Sequence, residues 1–333
     1  MRLIQRVHVD PYICALLAMV LLASVLPVRG IAAARAGDAT TGAIGLLFFL
    51  YGARLSPRQA LDGLRNWRLH AFVLGCTFLV FPALGMTVRT LMPGLFDPTL
   101  YTGVVFLCTL PSTVQSSIAF TSIGRGNVAA AICSASFSNL LGIFVTPLLV
   151  AFLLSTSAGG FSTGSMESIL LELLAPFIAG QLARPLIAGW VARHRQVLGY
   201  LDRGSILLVV YTAFSKGVVA GIWHQVSFGS LVALFALCLA LLSAVLFVTS
   251  NGARLLGFPR EDHIAIVFCG SKKSLASGLP MAAVLFSGRD VALIVLPLML
   301  FHMIQLMWCA ELARRYARWS PAAATPEFAT EMG

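Results

Sequence analysis

The chain has 333 residues, of which 58% are hydrophobic and only 11% are charged, whereas about 25% of the residues are charged in a typical soluble domain. This composition excludes a globular protein that folds in water and predicts that the chain's surroundings are a lipid bilayer. The net charge of +10 is typical of some nucleic-acid-binding proteins, but no basic run is interleaved with aromatic residues, so we expect no nucleic-acid partner.

Apolar windows recur along the chain, and each is long enough to cross a hydrocarbon core of about 30 Å. The first window, 11–28, follows Arg2 and Arg6 and precedes three alanines, as in a cleavable signal peptide. We favour a retained first helix, because this window is longer than most signal-peptide cores. The windows predict ten transmembrane helices, at 11–28, 40–53, 69–90, 99–123, 127–154, 166–187, 204–223, 228–250, 262–286 and 290–312.

The arginines set the orientation of these ten spans, because arginine and lysine in short loops are retained in the cytoplasm. With the N-terminus inside, only Arg29, Arg35, Arg89 and Arg289 lie on the outer side. An odd number of spans would destroy this asymmetry. The sequence therefore predicts a multi-pass inner-membrane protein with both termini in the cytoplasm.

Ten spans divide into two halves of five, and the second half enters the membrane in the opposite orientation to the first. Such inverted repeats are typical of secondary transporters. We therefore predict an all-α fold with one repeat at 1–156, an inverted repeat at 157–319 and a disordered cytoplasmic tail at 320–333.

The fourth span of each half contains residues that disfavour a continuous helix. Segment 110–117 contains Pro111, and segment 268–280 contains Gly270, Gly278 and Pro280. Both helices should be broken, and unwound backbone at membrane depth is tolerated only when it is buried in protein or lines a cavity. Breaks at matching positions predict one shared binding site.

Lys272 and Lys273 lie inside the second break, where a central lysine costs about 2.5 to 3.5 kcal/mol on insertion scales. One interpretation is that both ammonium groups reach back to the membrane interface. The functional interpretation is that at least one lysine faces the crossing point and attracts an anionic solute. Burial also disfavours the charged form of an ammonium group, so such a lysine could carry a coupling proton.

Hydroxyl and amide side chains lie at the first break and on the fifth span, where they either supply oxygens to an ion or simply pack. The seven cysteines show neither zinc-site nor disulfide spacing, so we expect no metal cofactor beyond sodium. The candidate substrate- or ion-binding residues are Pro111, Ser112, Thr113, Gln115, Ser116, Ser117, Ser134, Ser136, Ser138, Asn139, Cys269, Gly270, Ser271, Lys272, Lys273 and Ser274.

Four short segments carry a family resemblance that spans nearly the whole chain. They are 48–52 (FFLYG), 126–127 (GN), 146–149 (TPLL) and, most specific, 268–275 (FCGSKKSL). With these segments the chain resembles the bile acid:sodium symporter superfamily, and specifically its divergent branch of symporter-like bacterial proteins. The resemblance implies a panel of helices one, two, six and seven that moves against a core of the other six, in which helices four and nine cross.

The resemblance also implies two sodium ions, held by oxygens of helices three, four and five and by a glutamate and a glutamine of helix nine. Aligned on Gly270, this chain has Phe268 at the glutamate and Lys272 at the glutamine. Neither supplies an oxygen ligand. The oxygens of Thr77 and of Ser116 and Ser117 remain. The resemblance therefore suggests that Lys272 replaces one cation, which leaves one sodium, proton coupling or no coupling.

These observations favour a secondary transporter that moves a small organic anion, with a sodium ion or a proton as the coupling ion and no other cofactor. An alternative is a regulator or sensor that keeps the fold and binds solute without net flux. We do not expect an enzyme, because the spans contain no aspartate pair, H-E-x-x-H or G-x-S-x-G motif.

Overall fold

A computed structural model describes residues 11–54, 66–154, 163–221 and 226–318, and within these ranges the secondary structure is helical. The predicted boundary between the two halves and the predicted tail at 320–333 lie outside the described residues. The helices are α1 (Pro11–Val25), α2 (Gly30–Arg54), α3 (Trp67–Leu91), α4 (Pro98–Thr109), α5 (Val114–Ile123), α6 (Val128–Leu154), α7 (Thr163–Arg193), α8 (Arg195–Val219), α9 (Phe228–Leu255), α10 (Arg260–Gly270), α11 (Leu275–Leu285) and α12 (Val291–Arg318).

The helices confirm an all-α polytopic membrane protein. Among the described residues, six helices are long and apolar enough to cross a bilayer: α3, Glu172–Arg193 within α7, and all of α6, α8, α9 and α12. The pair α4 and α5 is a seventh candidate span, bent by 58° between the two helices.

Both predicted breaks occur, but they are shorter than we expected. The first break is 110–113, so Gln115, Ser116 and Ser117 are already helical in α5. The second is 271–274, so Gly278 and Pro280 lie inside α11. The reason for the second difference is a cap: the Ser274 hydroxyl accepts from the Ser277 amide, which starts α11 ahead of both residues.

A third irregularity lies in the middle of α3. The segment Cys76–Val80 is a π-helical turn between the α-helical segments Trp67–Gly75 and Phe81–Leu91. The amide of Phe81 donates to the carbonyl of Cys76, five residues back. A π turn therefore shifts the hydrogen-bond pattern of α3 by one residue, which matters for the site below.

The helices form two groups by their contacts. The first helix group is α1, α2, α7 and α8, in which α2 packs most closely on α7. Gly52 and Gly180 permit this approach, because a Cβ at either glycine would overlap the carbonyl of Phe177 or Phe49 on the facing helix. The second helix group is α3 to α6 with α9 to α12, and both breaks belong to it.

Candidate functional site

The two breaks lie against each other and exchange hydrogen bonds. The amide of Ser274 donates to the carbonyl of Pro111 at 2.9 Å, and the hydroxyl of Ser112 donates to the carbonyl of Cys269. The hydroxyl of Thr113 donates to the carbonyl of Lys273 at 2.8 Å. The unwound backbone is therefore buried in protein, as membrane depth requires.

Helix α6 braces this junction with the polar stripe seen in the sequence. Asn139 donates to the carbonyl of Ser112 at 2.6 Å and accepts from the hydroxyl of Ser277 at 2.7 Å, so it links the two breaks. Ser138 accepts from the Ser112 amide at 2.9 Å. Gly142 lets the Pro111 ring approach, because a Cβ there would lie 2.7 Å from that ring.

Lys273 is completely buried, and its ammonium group is fully hydrogen-bonded. The Nζ atom donates to the carbonyls of Thr77 at 2.8 Å, Cys108 at 2.8 Å and Leu110 at 2.6 Å. Its backbone is held by Gln305, which accepts from the Lys273 amide and donates to the Lys273 carbonyl, each at 2.9 Å. Lys273 thus joins α3, the first break and α12.

Lys272 is equally buried, but its surroundings are aromatic. The Nζ atom lies 3.8 Å from the ring centroid of Phe120 and 5.4 Å from that of Phe268. Among the described residues, no hydrogen-bond partner lies within reach of this ammonium group. Both ammonium groups are completely buried, and the one that is surrounded by oxygens is that of Lys273.

A cavity of about 420 Å³ separates the first helix group from the second and reaches both breaks. Its walls are largely apolar and aromatic, and polar groups of the breaks and of α6 line one side. The residues that define it are Phe48, Tyr51, Phe137, Leu140, Phe177, Ile206 and Met281 on the apolar walls, and Thr113, Gln115, Ser136, Asn139, Ser274 and Ser277 on the polar side.

The cavity also has a charged region, built from the ends of α2 and α8. Arg54 forms an ion pair with Asp202, and the guanidinium of Arg203 lies 5.6 Å from the ring centroid of Tyr12. Arg195 lines the same region. Three arginines and one aspartate give this part of the lining a net positive charge.

Five of the predicted site residues line this cavity: Thr113, Gln115, Ser136, Asn139 and Ser274. The others that we predicted lie outside its lining as the structure describes it. They are Thr77, Pro111, Ser112, Ser116, Ser117, Ser134, Ser138, Cys269, Gly270, Ser271, Lys272 and Lys273.

Most residues in this second set have a partner inside the protein. Ser134 contacts His70 Nδ1 at 2.6 Å, Ser117 donates to the Phe268 carbonyl at 3.0 Å, and Ser271 donates to the Val267 carbonyl at 2.6 Å. The hydroxyl of Ser116 is buried, and no partner for it is present in the described part of the chain.

Sequence reasoning missed the arginines of the cavity and the clamp formed by Gln305. Arg54, Arg195 and Arg203 served only as markers of topology, although their positions at helix ends next to polar segments were a usable signal. Gln305 is buried in α12 and hydrogen-bonded to the backbone of Lys273. Its contact with the second break has no signature in the sequence.

Comparison with known proteins places these features in a family. Residues 10–318 match the SBF-like CPA transporter family. The Pseudomonas aeruginosa protein PA2026 is 54% identical over 310 residues, which cover 93% of each chain. The Escherichia coli protein named "Putative symporter YfeH" is 51% identical over 309 residues, 93% of each chain. The mouse protein named "Sodium/bile acid cotransporter 7" is 29% identical over 283 residues, which cover 83% of this chain and 82% of the mouse protein.

Proposed function

This chain belongs to the SBF-like CPA transporter family, and from that premise we propose that it is a secondary active transporter that moves a small organic anion across the bacterial inner membrane. The observation that carries this proposal is the cavity between the two helix groups. An apolar wall, polar groups of both breaks and three arginines line this one cavity of about 420 Å³. Apolar walls with a few convergent polar groups are typical of small-molecule sites.

The cavity favours an amphipathic anion as the solute. Phe48, Phe137 and Ile206 offer apolar surface to its carbon skeleton. Arg195 and Arg203 offer positive charge to a carboxylate, sulfonate or phosphate group at one end. This assigns the attraction of the anion to arginines, whereas the sequence suggested the lysines of the second break.

We further propose the finer architecture that the sequence predicts, with ten spans in two inverted repeats of five and both termini in the cytoplasm. The order of the described helices supports it, because three helices precede each broken pair: α1 to α3 precede the pair α4 and α5, and α7 to α9 precede the pair α10 and α11. In this architecture the first helix group is the panel and the second is the core. Substrate sites between such units at broken helices are typical of transporters with inverted repeats.

For the coupling ion we propose sodium or a proton. The word sodium in the name of the mouse relative supports the first. The buried hydroxyl of Ser116, next to the first break, supplies an oxygen that no described protein group uses. Hydroxyl and carbonyl oxygens are the ligands that hard cations prefer.

A regulator or sensor that binds the solute without net flux is the second candidate function. One observation favours it: the breaks already exchange a dense set of hydrogen bonds, including the links from Ser274 to Pro111 and from Thr113 to Lys273. A junction braced in this way suits a core that binds solute and stays rigid.

The test is uptake by sealed vesicles that contain the purified protein. Radiolabelled decanoate, phenylacetate and cholate serve as amphipathic anions, under an inward sodium gradient, an inward proton gradient or neither. The proposal expects saturable, gradient-driven accumulation of at least one anion. Binding of an anion to detergent-purified protein without accumulation in vesicles would favour the sensor, and neither binding nor accumulation of any of the three would overturn the proposed solute class.

A further inference from the structure

The ammonium group of Lys273 lies where two helices leave backbone carbonyls without backbone donors. In α3, the carbonyl of Thr77 would normally accept from the amide of Phe81, but the π turn directs that amide to Cys76. The next residue, Pro82, has no amide hydrogen to replace it. The chain therefore needs another donor for Thr77.

The end of α4 presents the same problem on the facing side. The carbonyl of Cys108 could accept from residue 111 or 112, but Pro111 has no amide hydrogen and the Ser112 amide donates to Ser138. The carbonyl of Leu110 lies beyond the last residue of α4. The C-terminal end of a helix also carries partial negative charge, so both carbonyls attract a cation.

The ammonium group of Lys273 supplies one donor to each of these three carbonyls. An ammonium group has three donors, and each of the three carbonyls accepts one of them at 2.6 to 2.8 Å. The ring of Phe81 covers the group, with its centroid 4.2 Å from Nζ. In the described part of the chain no carboxylate forms an ion pair with Lys273. A ligand set made of carbonyls is what proteins use for alkali-metal ions.

We propose that Lys273 is a tethered cation: its ammonium group occupies a carbonyl site formed by Thr77, Cys108 and Leu110 that takes a free primary ammonium ion or an alkali-metal ion once the side chain is removed. The site joins α3 to the first break, and the covalent tether keeps it permanently filled. This inference rests on hydrogen bonding and does not depend on the proposed transport, since it concerns the stability of the folded core.

The experiment measures the melting temperature of purified Lys273→Ala in choline chloride, with added n-propylammonium, sodium, potassium or tetramethylammonium chloride. n-Propylammonium supplies the atoms that the substitution removes, Cγ to Nζ, whereas tetramethylammonium has the charge without a donor hydrogen. Lys272→Ala is the matched control, because it removes the same atoms from an equally buried neighbour that has no carbonyl acceptor among the described residues.

We expect Lys273→Ala to melt several degrees below the wild type in choline, and n-propylammonium or an alkali-metal ion to restore much of that loss, because a ligand that binds only the folded state stabilises it. Tetramethylammonium should restore none of it, and Lys272→Ala should respond equally to all salts. Equal responses of the two variants to n-propylammonium and to the alkali-metal ions would overturn the proposal.

A second variant decides the matter if Lys273→Ala does not fold. Lys273→Met keeps most of the side-chain volume but leaves the three carbonyls without donors, so it should melt below Lys272→Met. A Lys273→Met protein as stable as Lys272→Met would show that the carbonyls need no cation, and the proposal would fail. Neither outcome depends on flux, so a failure here is distinguishable from a failure of the proposed transporter.

Discussion

The broken segments have two faces, which differ in whether their polar groups are hydrogen-bonded within the protein or border the cavity. On the inner face, Lys273, Gln305 and Ser138 satisfy backbone groups of the breaks, and little is left over for a ligand. On the cavity face, Gln115 and Ser136 border open volume together with exposed arginines. Lys273, one of the two most unusual residues in the sequence, therefore holds the breaks together, while common polar residues are exposed to a solute.

This contrast teaches that a charged residue in a membrane helix is not by itself evidence of a ligand site. A buried charge is expensive, so it marks a place where the protein has a strong need. For Lys273 that need is internal, because two proline-disrupted helices require donors. Substitutions on the inner face should therefore change stability and leave solute affinity nearly unchanged, and substitutions on the cavity face should do the opposite.

Among the substitutions that keep both lysines, the largest effect is expected for Gln305→Leu on the inner face. The substitution leaves the buried amide of Lys273 without an acceptor and removes one of two donors to its carbonyl. Losses of this kind cost about 1–3 kcal/mol for each unsatisfied group, so we expect a loss of roughly 2–4 kcal/mol in the free energy of unfolding. Denaturant unfolding in detergent measures it.

Thr113→Val is the graded comparison for Gln305→Leu, because it removes only the other donor to the same carbonyl. It should cost less than half as much. If Gln305→Leu were as stable as the wild type but bound solute more weakly, then Gln305 would act on the cavity face and the division into two faces would be wrong.

A smaller loss is expected for Gly142→Ala, which tests the packing of the first break on α6. The added Cβ would lie 2.7 Å from the ring of Pro111, and overpacking of this kind costs about 1–3 kcal/mol. Gly189→Ala is the control, since a Cβ there meets nothing within 4 Å and alanine favours the helix by up to about 1 kcal/mol. Melting temperatures that shift equally for the two variants would contradict the close contact between Pro111 and α6.

The sequence was sufficient to predict an all-α membrane protein with two broken segments, because the physics involved is local. Apolar length predicts spans, and Pro111 and Gly270 lie in or beside breaks that the structure contains. The sequence did not predict where the breaks end. In the second break, the cap at Ser274 starts α11 ahead of Gly278 and Pro280.

The sequence was less informative about the site, because the site depends on which way each side chain points. Spacing places Lys272 and Lys273 in one break but does not show that one meets carbonyls and the other meets rings. The carbonyl of Thr77 becomes an acceptor only through a π turn in α3 that apolar periodicity does not reveal. The arginines of the cavity come from helices far apart in the chain.

On the cavity face we expect Arg195→Ala and Arg203→Ala to weaken solute binding by a few-fold each, without a change in melting temperature. Both side chains are exposed, so solvent screens their attraction for an anion and keeps the effect modest. Equilibrium binding of radiolabelled anion at low and high salt measures the loss of affinity, and the difference between variant and wild type should shrink at high salt.

Arg193 is an exposed arginine outside the cavity lining, so Arg193→Ala should change neither solute binding nor melting temperature. Equal losses for Arg193→Ala and Arg203→Ala would show that the effect is one of net charge.

The smallest effect is expected for Lys272→Met, and it is the sharpest test of the difference between the two lysines. The substitution removes only the contacts of the ammonium group with the rings of Phe120 and Phe268, which are worth about 2 kcal/mol when desolvated. Removing a buried charge that has no hydrogen-bond partner among the described residues offsets that loss. The melting temperature should therefore stay close to that of the wild type or rise, whereas Lys273→Met should melt several degrees lower. A Lys272→Met protein that loses as much stability as Lys273→Met would contradict the difference between the two ammonium groups.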